Sequence, residues 1–158
     1  MSESEARELD VQALLAPQRG LRAQFESFRR ALAAGDRVST ELVMAGFEHG
    51  LRRRIELELR VLQPALARVS FPGRDARREL EMQYVQLREL VRNLAQRIAA
   101  NAPRGETIGF ADNLDRRLSA HETELERVYY PAALPHLSAA DREALASSPA
   151  QSKPDAPR

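Results

Sequence analysis

Four long stretches of this chain carry apolar side chains three or four residues apart, the spacing that lines up one face of an α-helix. The first runs from about Gln18 to Ala34, with Leu21, Phe25, Phe28 and Leu32 on its stripe. Gly35 and Asp36 interrupt it. The second begins near Ser39 or Thr40, either of which can cap free backbone donors, and carries Met44, Phe47, Leu51, Ile55 and Leu62. After the turn-forming SFPGRD, the third extends from about Arg74 to Ala100 with Leu80, Leu87, Val91, Leu94 and Ile98. NAPRGE ends it. The fourth starts between about Thr107 and Asp112, with Phe110, Leu114, Leu118, Leu125, Val128 and Tyr129 on one side. β-branched residues, which favour strands, do not cluster.

Four amphipathic helices of similar length with short connections bury their stripes best as an all-α, antiparallel up-down four-helix bundle. Short helical pieces are expected outside it, one before Pro17 and one over AADREALA capped by Ser138. The division is thus an N-terminal extension over 1–17, the bundle with its short final helix over 18–146, and a disordered tail over 147–158, where proline and polar residues dominate.

Composition narrows the function. Net charge is +1 and acids accompany nearly every basic pair, which argues against a nucleic-acid surface. The chain has no cysteine, so disulfides, thiolate metal sites and cysteine nucleophiles are excluded. No apolar run approaches the roughly 20 residues of a membrane span. The acidic start MSESEARELD does not read as a secretory signal, so a soluble cytoplasmic protein is expected. No nucleophile–base pair, phosphate loop or acid–base dyad stands out, and an enzyme is not expected.

Polar residues on the apolar stripes must be paired or functional. Glu58 falls near the centre of the second stripe and Arg54 closer to its edge. His121 lies between Leu118 and Leu125 on the fourth, and Tyr84 between Leu80 and Leu87 on the third. Phe25 holds the corresponding depth on the first. Two of these residues open similar stretches, RIELELRVLQP from Arg54 and HETELERVYYP from His121. Aligned on their prolines, Arg54 stands opposite His121, and Glu58 opposite Leu125.

With these stretches the chain resembles the hemerythrin-like, or HHE cation-binding, four-helix bundles, over about Gln18 to Leu134. HETELERVYYP carries the most specific part of the likeness; LRAQFESFRRAL, RRRIELELRVLQPAL and EMQYVQLRELVRNL match in pattern. The resemblance implies a metal-ligand set of histidines on all four helices with carboxylates on the second and fourth. Transferred position by position, that set is degenerate. The histidine places fall on Phe25, Arg54 and Tyr84, while Glu58 and His121 survive. The fourth-helix carboxylate is Glu126 at five-residue spacing, because four-residue spacing lands on Leu125.

A di-iron centre of this kind needs about five imidazoles, whereas the chain has three histidines. His49 projects away from the Glu58 stripe and His136 lies beyond Pro131 and Pro135. An arginine offers no lone pair and repels cations. The expectation is therefore a metal-free, cofactor-free bundle in which Arg54 and Glu58, extended by His121, Tyr84 and either Glu122 or Glu126, form a charge cluster where metals would sit. Arg54 snorkelling to solvent is the plainer alternative, with His121 a lone core histidine and Tyr84 and Phe25 core fillers. Tyr129 and Tyr130 are read as packing the bundle end.

Three functions remain open. The first is a structural, regulatory or partner-binding bundle, with an unnamed protein partner or a homodimer admissible. The second is a residual iron, manganese or zinc site on Glu58, His121 and Glu126, with Tyr84 as a phenolate, sensing oxygen, nitric oxide or redox state. The third is a small anionic-ligand site built on Arg54.

Overall fold

The computed structural model describes residues 1–147; the tail expected over 147–158 lies, from residue 148 on, outside the described residues. The described chain is all helical, with no strand. Helix α1 spans Glu3–Ala34, α2 Arg37–Leu66, α3 Ala76–Ala99 and α4 Arg104–Glu124. A π-helical turn over Leu125–Tyr129 leads into the short α5, Tyr130–Ala133, and a 3-10 turn over Leu134–His136. Helix α6, Ala139–Ala146, follows. Consecutive long helices pack against each other, α1 also meets α4, and α6 lies against α1 and α2.

Local chemistry sets the ends. Ser2 caps α1 in a reciprocal box: its Oγ accepts from the Glu5 N–H at 3.2 Å, and the Glu5 carboxylate accepts from the Ser2 N–H at 2.6 Å. Gly35, at φ 73°, closes α1 in the left-handed conformation, and the Asp36 N–H returns to the Ala31 carbonyl at 3.1 Å. Asp36 then caps α2 through the Ser39 N–H at 3.1 Å, so α2 begins at Arg37, earlier than the expected Ser39 or Thr40. The Thr40 hydroxyl instead bonds back to the Asp36 carbonyl at 2.6 Å. Asp75 caps α3, which starts two residues later than the expected Arg74, and Ser138 caps α6 as expected. Helix α4 begins at Arg104 directly after Pro103, before the expected Thr107.

The expected break at Pro17 does not occur: α1 is continuous through it, and residues 3–16 belong to that helix. An interior proline costs about 3 kcal/mol. Val11, Leu14 and Leu15 are buried on its N-terminal side, each contributing roughly 1.5–3 kcal/mol, so extending the helix outweighs the missing hydrogen bond. Pro64 is likewise carried inside α2.

The stripes form one core. Met44, Phe47, Leu51, Ile55 and Leu62 of α2 face Leu21, Phe25 and Phe28 of α1, Leu80, Leu87, Val91 and Leu94 of α3, and Leu114 and Leu118 of α4, all buried. Ile98, Phe110 and Val128 pack at its margin. Gly50 lets α1 approach α2, since a Cβ there would lie 2.9 Å from Leu21 Cδ2. Among the described residues no helix is long and apolar enough to cross a membrane.

Candidate functional site

Within this apolar interior a charged group is fully enclosed. Arg54 and Glu58 sit one turn apart on α2, each 1% exposed, with Arg54 Nε 2.8 Å from Glu58 Oε1. An unpaired ion in this setting would cost several kcal/mol, so the surrounding geometry must satisfy both groups. It does. Arg54 Nη2 donates to the Leu14 carbonyl at 3.0 Å and to the Tyr130 hydroxyl at 2.8 Å, and Nη1 donates to the Leu145 carbonyl at 2.5 Å. Glu58 Oε1 also accepts from Tyr130 at 3.0 Å. Glu58 Oε2 accepts from the Tyr84 hydroxyl and faces His121 Nε2 at 3.5 Å.

The flexible arginine stem on α2 thus joins α1, α5 and α6, while the carboxylate joins α3 and α4. Two of the oxygens Arg54 uses are backbone carbonyls with reason to be available. Leu145 lies in the last turn of α6, where carbonyls lack helical donors. Leu14 lies inside α1, and its carbonyl offers Arg54 a second lone pair beside the one used in the helix. His121, 3% exposed, is oriented from its other side: Nδ1 lies 2.8 Å from Gln83 Oε1, and Gln83 Nε2 donates to the Tyr129 hydroxyl at 3.3 Å. Its ring meets the Tyr84 ring edge-on at 5.0 Å.

Electrostatics follows from this packing. Burial by itself would push the Glu58 carboxyl up; the Arg54 charge, then His121 and the Tyr84 hydroxyl, outweigh it and hold the pKa at about 2. Burial likewise works against the Arg54 cation, but Glu58 and Tyr130 more than offset it, and its pKa is raised. Burial, followed by the Glu58 charge, drives both Tyr84 and Tyr130 well above the ordinary phenol range. They are hydroxyls, not phenolates.

Of the sequence candidates, Arg54, Glu58, Tyr84 and His121 converge. Arg54 does not snorkel. Phe25 is buried but packs on Phe28 and Phe47, at ring distances of 5.5 and 5.0 Å, two turns of α2 before Arg54. The expected helix-four carboxylate is not among the partners of Arg54. Glu126 is half-buried and accepts from Gln12 Nε2 at 3.0 Å, while Glu122 pairs with Arg22 at 3.6 Å. Both acids turn toward α1.

Tyr130 takes that place instead. The π-helical turn, closed by the Tyr130 N–H on the Leu125 carbonyl, widens the helix by one residue. Adjacent rings at 129 and 130 are consequently both buried, and Tyr130 reaches Arg54 and Glu58. The signal in the sequence is the YYP triplet, whose proline cannot supply the next helical N–H. Gln83 and the two backbone carbonyls carry no such signal.

The residues present do not fit the metal centre that the resemblance implies. Glu58 spends its oxygens on four side chains, and a permanent cation stands one turn away. Among the described residues no group of three or more His, Cys, Asp or Glu is placed to hold a metal ion. Comparison with known proteins adds no relative: no family model, curated protein or solved structure matches the chain.

Proposed function

We propose that the chain is a cytoplasmic, hemerythrin-like antiparallel four-helix bundle in which an internal ion pair stands where its ancestors held metal, and that it is a non-catalytic structural, regulatory or partner-binding protein. The observation that carries this reading is the enclosed Arg54 guanidinium, bonded to Glu58, Tyr130 and two backbone carbonyls. A cation so held does for Glu58 what a metal ion would do: it neutralises the carboxylate and ties the helices around it. It offers no open coordination position and no redox change, so oxygen binding or electron transfer has nothing to act through.

Metal analysis of protein purified from iron- and manganese-supplemented cells tests the proposal. The expected content is far below one ion per chain for iron, manganese and zinc. Near-stoichiometric metal that disappears in His121→Ala would overturn it in favour of a sensor using Glu58, His121 and Glu126.

A further inference from the structure

The enclosed Arg54 network lies just beneath the surface beside α6. A cleft of about 420 Å³ opens there, lined by Arg53, Arg54, Glu56, Leu57 and Arg60 of α2 and by Ala144 and Ser147 at the end of α6. Arg60 makes no hydrogen bond or ion pair among the described residues. Beneath the cleft, Arg54 Nη1 donates to the Leu145 carbonyl, an oxygen at the negative end of the α6 dipole. The end of α6 therefore occupies, with a partial negative charge, a position suited to an oxyanion.

The element supplying that oxygen is lightly held. Helix α6 has 8 residues, too few to be stable unsupported, and its buried residue is Leu145. Its further tether is Arg142, which donates to the Leu134 carbonyl at 2.8 Å and pairs with Asp10 at 3.7 Å.

We propose that Arg54 and Arg60 form a binding site for a small oxyanion, a phosphate or a carboxylate, and that the Leu145 end of α6 is its built-in occupant, displaced when the anion binds. Arg54 is suited because its guanidinium stays charged while buried, and displacement exchanges a carbonyl dipole for a full negative charge on the same N–H. The lining holds three arginines and one carboxylate, Glu56, and the cleft's about 420 Å³ suits a small anion. The site rests on Arg54 being a permanent cation in a metal-free centre. The metal analysis tests that premise separately, since it reads iron, manganese and zinc and not anion affinity.

Calorimetric titration of the full chain with inorganic phosphate and, in a second arm, succinate, combined with hydrogen exchange of α6, tests the proposal. Binding of either probe should speed exchange of the 139–147 amides, and the probe that binds more tightly identifies phosphate or carboxylate as the source. Arg142→Gln, which loosens α6 from outside the site, should tighten binding by ~3-fold or more, because a larger fraction of the chain is then open. Arg60→Gln should weaken it by ~5-fold, the loss expected for one charge at a solvent-exposed mouth. The idea is overturned if neither probe binds the native chain or Arg142→Gln. It is equally overturned if Arg60→Gln leaves affinity unchanged, or if binding leaves α6 exchange unaltered.

Discussion

The same two chemical groups meet in two regions of this molecule with opposite consequences. Along the α1–α4 seam, Arg22 lies 3.2 Å from Asp115 and Arg29 lies 2.5 Å from Asp112, with a quarter to two-fifths of each side chain exposed. In the interior, Arg54 and Glu58 form an equally short pair at 1% exposure. Water competes for every seam contact and salt screens it, so such pairs are worth about 0–1 kcal/mol each. Around Arg54 no solvent replaces a missing partner, and breaking the pair costs roughly 3–5 kcal/mol even where forming it adds little. Distance is alike in the two regions; the energetic stakes are set by what surrounds the pair.

The comparison is most open to challenge at Arg54. Arg54→Met is expected to lose about 3–5 kcal/mol in urea unfolding, because Glu58 is left charged and enclosed. Arg54→Leu combined with Glu58→Leu should lose clearly less than Arg54→Met alone, since neutral groups then remain. A double variant as unstable as the single one would show that the tyrosines and carbonyls, rather than the stranded charge, set the cost.

Acid should test the interior pair as well. The folded Glu58 carboxyl is held at about 2, below its ordinary value of 4.5. Its contribution is therefore fully present above about pH 4.5 and is lost as pH falls toward 2. Glu58→Gln should flatten the dependence of stability on pH in that window, read by urea unfolding at a series of pH values. An unchanged pH dependence would mean that the buried partners do not hold the Glu58 carboxyl down.

A third buried polar residue sharpens the point from the other side. Gln18 is 1% exposed, and neither atom of its amide has a hydrogen-bond partner among the described residues. Where Arg54 is satisfied, Gln18 is not. Gln18→Met should stabilise the fold by about 1–2 kcal/mol by removing an unpaired buried amide, measured by thermal or urea unfolding. A loss of stability instead would mean the amide is bonded in solution, by water or a ligand. The smallest effect belongs to the seam: Arg29→Gln should cost less than about 1 kcal/mol, and the difference should shrink further in 1 M salt.

Much of the architecture is legible in the chain because it follows from short-range periodicity. Leu21 to Leu32, Met44 to Leu62, Leu80 to Leu94 and Leu114 to Leu125 lie on the expected stripes, and Ser138 caps the helix expected of it. The boundaries are less legible. Pro17 is locally a breaker, yet burial of Val11, Leu14 and Leu15 overrides it; that burial depends on helices distant in sequence. At the site, Arg54, Glu58, Tyr84 and His121 are readable because each is a polar group on an apolar stripe. Tyr130, Gln83 and the carbonyls of Leu14 and Leu145 are not, since being hydrogen-bond partners is a relation between elements and not a property of any one.

The sequence alone determined that this chain is helical, that its second helix carries an arginine and a glutamate where apolar residues belong, and that too few histidines accompany them for a di-iron centre. Periodicity and residue chemistry suffice for those statements. Only the tertiary structure decided how the buried charge is satisfied. The π-helical turn directs Tyr130 inward, α6 brings the Leu145 carbonyl to Arg54, and Glu126 turns away to Gln12. A hydrogen bond requires two atoms within about 3 Å in the right direction. That condition is met across 91 residues between Arg54 and Leu145, and helix packing alone brings them together.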